Sequence, residues 1–226
     1  MILSAYQPYF APFPGFFEKA LRSDVFVLLD TVQFPRGTSW LTRNRFKNDQ
    51  GVLWVTVPVW RKGLGLQRIN EVKICREGRW ARKHLESLKT AYKRAPFFEE
   101  HLPFLERLFG EGYEHLVDLN VTVVRYLLKC LKIPARIHLQ SDLGMDLNEP
   151  ELPVRLCRVT GADRFLVQNT ARKFVNTETF RKAGIRVEFF RPHVPVYPQL
   201  WGAFATNLSV LDLVFNCGPK ARAYLE

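Results

Sequence analysis

Short apolar runs alternate with polar segments over the first third of the chain. Residues 2–6 and 25–29 are almost wholly apolar, and a proline-rich turn and a helical segment at 16–21 lie between them. Strand, helix and strand in this order predict a βαβ unit with a right-handed crossover. Residues 52–57 form a third apolar run. Continuous apolar runs are typical of parallel strands that are covered on both faces.

The apolar period becomes helical from Trp80 onward. Residues 80–92, 97–109 and 115–131 predict three consecutive helices, bounded by Pro96, two glycines and Pro134. Residues 34–48 predict a loop with a short strand at 44–47. The remaining predicted elements are strands at 69–74, 136–140, 165–167 and 185–190, and helices at 152–160, 174–182 and 209–216.

This order of elements predicts an α/β fold. We expect a mainly parallel sheet flanked by helices in a Rossmann-like, three-layer arrangement, with a helical insertion around residues 80–131. The chain has 226 residues and no evident linker. We therefore predict a single domain over residues 1–226.

Composition adds a strong charge preference to this picture. The net charge is +11 and the isoelectric point is about 9.7, which favours an anionic partner such as a nucleotide, a sugar phosphate or nucleic acid. The alternative is an ordinary solvated basic surface. The four cysteines show no CxxC spacing and the histidines show no metal-ligand spacing, so no metal site is expected. No segment predicts a signal peptide or a membrane span, and we expect a cytoplasmic protein.

Polar side chains follow the predicted strands where a ligand would be expected. Gln7 ends the first run and Asp30 ends the second. The carboxyl ends of parallel strands commonly hold the site of such folds. The functional interpretation makes Gln7 a ligand donor and Asp30 a general base. The structural alternatives are a tight turn for Gln7 and an ion pair with Arg43 or Arg45 for Asp30.

Further candidates cluster farther along the chain. Arg43, Asn44 and Arg45, with Gln33 nearby, concentrate donors that suit phosphate, carboxylate or an oxyanion. His84 borders the apolar face of a predicted helix and is either a general base or a core residue. The remaining candidates for substrate binding are Tyr92, Asn169, Tyr197, Gln199, Ser209, Asp212 and Asn216. For the last three, helix capping and a polar helix face are the alternative.

These residues, taken in order, resemble the WbqC-like protein family, whose members occur in bacteria. The resemblance spans nearly the whole chain. It is carried by Gln7-Pro8-x-x-x-Pro12 with Gly15 and Lys19, Asp24-x-Phe26-x-x-x-Asp30-x-Val32-Gln33-Phe34, Arg43-Asn44-Arg45, Thr56-Val57-Pro58, Trp80-x-x-Lys83-His84, Tyr92, Asn207-Leu208-Ser209-x-x-Asp212, Asn216 and Gly218. One position departs, because family members commonly have a histidine where this chain has Tyr6.

The resemblance implies an enzyme that transfers an acyl or aminoacyl group, for instance glycyl, to an amino-sugar nucleotide during synthesis of surface polysaccharide such as O-antigen. Asp30 or His84 would take the amine proton, and Arg43 and Arg45 would hold the nucleotide diphosphate or a carboxylate. The sequence identifies neither the activated donor nor a cofactor. Two alternatives stay open: a nucleic-acid-binding protein, which no sequence motif supports, and a non-catalytic partner in polysaccharide assembly.

Overall fold

A computed structural model describes residues 1–145 and 151–226. Five strands form a parallel sheet and two form a separate antiparallel hairpin. The strands are β1 (Ile2–Tyr6), β2 (Val25–Leu28), β3 (Arg43–Asn48), β4 (Gly51–Thr56), β5 (Arg136–Leu139), β6 (Arg164–Gln168) and β7 (Arg186–Phe190). The parallel sheet has the order β5-β2-β1-β6-β7. The central strand is β1, with β2 and β5 on one side and β6 and β7 on the other. This confirms the predicted α/β class.

Helices cover both faces of the sheet. They are α1 (Pro14–Leu21), α2 (Trp80–Tyr92), α3 (Phe98–Gly110), α4 (Leu116–Cys130), α5 (Leu152–Thr160), α6 (Thr177–Lys182) and α7 (Val210–Cys217). Three of them, α2 to α4, occupy the helical insertion predicted around residues 80–131. Among the described residues, no helix is both long and apolar enough to cross a bilayer.

The pleat of the central strands separates two hydrophobic cores. Phe26 and Leu28 of β2 pack into the larger core with α1, α4 and α7. Val25 and Val27, which alternate with them, pack into the smaller core with α5. Successive side chains of a strand point to opposite faces, so one apolar run supplies both cores. This burial explains why the run contains no polar position.

The structure corrects three predicted elements. Residues 69–74 do not form a strand, because Ile69–Glu71 is a short 3₁₀ helix and only isolated bridges follow it. The run at 52–57 lies in β4, which pairs antiparallel with β3 outside the parallel sheet. The helix predicted from residue 174 begins at Thr177, where the Asn176 side chain accepts hydrogen bonds from the Glu178 and Thr179 amides.

Gly218 allows the end of α7 to pack directly on α3. Its φ is +51°, and a Cβ at this position would overlap the Phe97 ring. We expect Gly218→Ala to lower the free energy of unfolding by about 2–4 kcal/mol, because φ +51° with ψ −127° is a conformation that glycine alone adopts readily and because the Cβ overpacks Phe97. Gly161→Ala is the comparison for a positive φ alone, because its φ is +74° in the left-handed helical region and nothing lies within 4 Å of its Cβ. Equal destabilisation of both variants in urea melts would contradict the packing argument.

Candidate active site

The two halves of the sheet part at the carboxyl end of β1. The pairing of β1 with β6 stops at Ser4 and Leu166. On the other side β1 stays paired with β2 as far as Tyr6, and β6 stays paired with β7 as far as Gln168. Since β1 is where the strand order reverses, this gap is the topological switch point, the usual ligand crevice of open α/β sheets.

Lys19 of α1 places its amine at this gap. The side chain is 4% exposed, and its Nζ donates a 2.8 Å hydrogen bond to the Ala5 carbonyl, one residue beyond the last β1–β6 pair. The Nζ also lies 4.3 Å from the centroid of the Tyr6 ring. Burial lowers the pKa of Lys19 to about 7, and no carboxylate of the described residues compensates the charged form. Lys19 therefore supplies a partly neutral amine near neutral pH.

Tyr6, whose ring contacts this amine, has aromatic and amide neighbours. Burial raises the pKa of the Tyr6 hydroxyl, and the Gln168 side chain, across the gap, opposes that rise by hydrogen bonding. The Tyr9 ring lies 5.6 Å from the Tyr6 ring. The Gln7 side chain is half-buried and makes no hydrogen bond to a described residue, while its carbonyl accepts from the Tyr9 amide at 2.8 Å. Gln7 thus has a free amide for a ligand.

Two other predicted residues lie at the same edge of the sheet. Asn169 follows β6 and is exposed. Asp30 follows β2 and is 2% exposed. Its two carboxylate oxygens accept from the Ser141 amide at 3.0 Å and the Ser141 hydroxyl at 2.6 Å. Asp30 therefore joins the ends of β2 and β5, and it pairs with neither Arg43 nor Arg45.

His84 lies away from the switch point. Its Nε2 is 2.9 Å from the Thr56 carbonyl oxygen, to which it donates, and its ring is 6.1 Å from the Trp80 ring. Burial lowers the pKa of His84. The contact attaches α2 to the end of β4.

This placement gives a prediction for His84→Ala. We expect the variant to lose about 0.5–1.5 kcal/mol of unfolding free energy, the usual contribution of one hydrogen bond. Ligand binding at the switch point should stay within twofold of wild type. Urea melts and ligand titrations of the same preparation test both parts, and a stable variant with abolished binding would contradict this assignment.

The Arg43–Arg45 cluster divides into three different environments. Asn44 is 1% exposed and donates to the Phe10 and Ala11 carbonyls at 3.1 and 2.7 Å. Arg45 donates to the Asn207 carbonyl at 2.9 Å. Arg43 stacks on Trp54, with 4.1 Å between its Cζ and the ring centroid. Asn44 and Arg45 therefore hold the hairpin on neighbouring loops, and the exposed Gln33 lies apart on a bridge to Arg68.

The structure brings several other predicted residues together in a buried polar network. Asp212 is 1% exposed and accepts from the Tyr92 hydroxyl at 2.6 Å and the Tyr197 hydroxyl at 2.8 Å. Asn216 donates to the Asp212 carbonyl at 2.8 Å. Burial raises the pKa of Asp212, although the hydroxyl bonds and the nearby Lys47 oppose that rise. A carboxylate enclosed in this way is suited to holding elements together.

The last two predicted residues support the same region. Ser209 caps α7, since its hydroxyl accepts from the Leu211 amide at 3.2 Å. The Gln199 side chain donates to the Ala205 carbonyl at 2.8 Å and accepts from the Ala205 amide at 2.9 Å. It also accepts from the Lys47 amine at 3.1 Å. Gln199 thus closes its own loop and connects it to β3.

Sequence reasoning missed the residues at the switch point. Tyr6 and Lys19 were assigned no ligand role, and Gln168 was not among the candidates. A lysine within the apolar segment 16–21 is a signal that could have been used, because a buried amine without an acidic partner is rare. Lys47 was also missed. It is 3% exposed and lies beside the Asp212 network.

Comparison with known proteins fixes the family. The sequence profile of the WbqC-like protein family matches residues 7–224. The chain belongs to the WbqC-like family. This WbqC-like protein is also 32% identical over 223 residues to the uncharacterized protein Rv1507c of Mycobacterium tuberculosis, a match that covers 97% of this chain and 95% of the relative. No solved structure matches it significantly.

Tyr6 occupies the position at which this chain departs from the pattern of its family. The resemblance placed a histidine at this position in family members, whereas here a tyrosine ring covers the Lys19 amine. A phenol whose pKa is raised stays protonated near neutral pH, so Tyr6 is not a base in this chain. Any proton acceptor at the switch point has to be another group, and Lys19 is the adjacent one.

Proposed function

We propose that this WbqC-like protein is a transferase that moves an acyl or aminoacyl group onto the amine of an amino-sugar nucleotide, at the switch point of its sheet. The observation that carries the proposal is the Lys19 amine, which is buried, weakly basic and located where β1 and β6 part. Family membership supports the substrate class. The pathway we propose is the synthesis of bacterial surface polysaccharide such as O-antigen.

The proposed step uses Lys19 as its proton acceptor. The sugar amine attacks the carbonyl carbon of the activated donor, so a C–N bond forms and the bond to the leaving group breaks. Neutral Lys19 takes the proton that the attacking nitrogen loses, and the resulting ammonium returns a proton to the leaving group. The free amide of Gln7 donates to the oxyanion of the tetrahedral intermediate. Tyr6 lies over the amine and limits its contact with water.

Asp30 and His84 are not the bases in this proposal. Asp30 already accepts two hydrogen bonds from Ser141, and His84 is held against the Thr56 backbone. Arg45 is likewise occupied by backbone carbonyls. Asn169, which is exposed directly after β6, is the remaining candidate for acceptor binding at this edge of the sheet.

Thermal unfolding against a panel of ligands tests the proposal. Nucleotides linked to amino sugars and acyl-coenzyme A donors are compared with the same nucleotides linked to neutral sugars. A ligand at one hundred times its Kd adds about 2.7 kcal/mol of stability. We expect a shift with an amino-sugar nucleotide, which Gln7→Ala reduces and the surface variant Gln50→Ala does not. No shift with any amino-sugar nucleotide would overturn the assigned acceptor.

A further inference from the structure

Most of the net charge of this protein is concentrated in one segment. Residues 33–84 contain 12 lysines and arginines but only 3 aspartates and glutamates, so they carry +9 of the total +11. The same segment holds four of the five tryptophans. It includes the β3–β4 hairpin and the basic loop after it. Cations and tryptophans therefore occur together, outside the parallel sheet.

Three of these tryptophans are exposed beside the hairpin. Trp40, Trp54 and Trp60 are 39%, 40% and 44% exposed. The Trp40 and Trp54 rings are 5.9 Å apart at an interplanar angle of 29°. Each of these tryptophans therefore leaves about two-fifths of its surface open to solvent, outside the switch-point site. Grouped aromatic surface of this kind commonly serves an interface.

The strand geometry places two of them on one face. Trp54 and Thr56 of β4 are exposed, whereas Val55 and the following Val57 are buried. Backbone pairing continues beyond β4, where the Val57 amide donates to the Thr42 carbonyl at 2.7 Å and the Trp60 amide donates to the Lys73 carbonyl at 3.0 Å. Trp54 and Trp60 are six residues apart along this paired chain, which is about 20 Å at the rise of a strand. The face is therefore long and open.

Cations accompany these rings. Arg43 lies opposite Thr56 in the hairpin register, and Arg45 lies opposite Trp54. The Arg43 guanidinium contacts the Trp54 ring and has no hydrogen bond or ion pair with a described residue. Lys73 is exposed beside Trp60 and pairs with Glu114 at 2.7 Å. Of Arg43, Arg45 and Lys73, Arg43 is thus the cation without a polar partner among the described residues.

We propose that this surface, the tryptophan face (Trp40, Trp54, Trp60, Arg43 and Lys73), binds single-stranded nucleic acid. Small ligands favour concave sites that enclose them, whereas an open face about 20 Å long suits a linear polymer. The positive charge selects an anionic polymer. Bases stack on exposed aromatic rings while arginine and lysine contact the phosphates. This activity is independent of the proposed transferase step.

Fluorescence anisotropy with labelled single strands of twelve thymidines or twelve uridines tests the proposal. We expect binding at 50 mM NaCl that weakens steeply by 200 mM NaCl. Trp54→Ala and Trp60→Ala should each raise Kd about 5- to 150-fold, the range for loss of one stacked base. Arg43→Ala should reduce the slope of log Kd against log salt by about 0.7, the value for one phosphate contact to a single strand.

Matched variants make the result specific. Phe174 is 79% exposed and lies outside this segment, so Phe174→Ala should leave Kd within twofold. Trp54→Phe keeps a stacking ring and should bind more tightly than Trp54→Ala. Lys19→Met should leave oligonucleotide binding unchanged, which separates this proposal from the transferase. Circular dichroism spectra establish that each variant is folded.

Several outcomes would overturn the proposal. One is no anisotropy change at 50 mM NaCl. Another is tighter binding of duplex DNA that is insensitive to the tryptophan variants, which would indicate charge alone. A third is equal binding of a labelled heparin oligosaccharide with the same dependence on Trp54, which would assign the face to acidic polysaccharide.

Discussion

A Lys19→Met variant is expected to lose about 10²- to 10⁴-fold in kcat/KM for acyl transfer, the usual contribution of a positioned general base. Methionine fills a similar volume but cannot accept a proton. We expect the variant to fold, because it replaces a buried amine with an apolar chain among Tyr6 and its aromatic neighbours. The assay uses the amino-sugar nucleotide and donor that the unfolding screen identifies.

Lys83→Met is the matched control, since Lys83 is exposed on α2. It should retain wild-type turnover within twofold. If Lys19→Met binds the substrate and turns it over at the wild-type rate, Lys19 is not the base. If instead no amino-sugar nucleotide stabilises either the wild type or the variant, the substrate assignment is wrong. The pKa of the Lys19 amine can then still be measured directly.

The titration of Lys19 gives that independent measurement. Burial lowers its pKa from 10.5 to about 7, so between these pH values the unfolded chain binds more protons at this position than the folded chain. The stability of wild type relative to Lys19→Met therefore rises as pH increases from about 7 to about 10.5. NMR of protein labelled with ¹³C-lysine should show one side chain titrating near 7. A Lys19 that titrates near 10.5 would remove the basis of the mechanism.

Replacing Asp212 by alanine is expected to lower the free energy of unfolding by about 3–5 kcal/mol, because each buried polar group that loses its partner costs about 1–3 kcal/mol. The change leaves the Tyr92 and Tyr197 hydroxyls without their acceptor. It also removes the carboxylate that supports the charge on Lys47, which is 3% exposed. Buried polar groups without partners are costly, so these losses act together.

The comparison for Asp212→Ala is Asp49→Ala, which removes an exposed carboxylate from the turn between β3 and β4. That control should change stability by no more than about 0.5 kcal/mol. Urea unfolding followed by tryptophan fluorescence measures both variants. If Asp212→Ala were as stable as Asp49→Ala but lost ligand binding, Asp212 would belong to a binding site and not to a supporting network.

The sequence by itself determined the secondary structure of the sheet and most of the helices. Apolar runs at 2–6 and 25–29, bounded by turn residues, are typical of strands covered on both faces, and the 3.6-residue period after Trp80 predicts helices. The polar residues after these runs marked the carboxyl edge of the sheet. Gln7 was therefore predicted at the edge where the structure places it.

The tertiary structure decided which residues meet. Asp30 pairs with Ser141, 111 positions away, and Asp212 accepts from Tyr92, 120 positions away. Such contacts depend on strand order and helix packing, which local periodicity does not encode. The antiparallel pairing of β3 with β4 likewise depends on burying Phe46 and Val55 in the larger core, which β2 also lines.

Lys19 illustrates the physical reason. Its sequence neighbourhood makes it a residue of a short helix, and nothing local sets the pKa of its amine. Its low pKa arises because α1 packs on β1 at the point where the pairing with β6 ends, and this packing removes water from the amine. The amine donates a hydrogen bond to the Ala5 carbonyl instead. Desolvation is a property of the assembled core, so the sequence supplied the lysine and the fold supplied its environment.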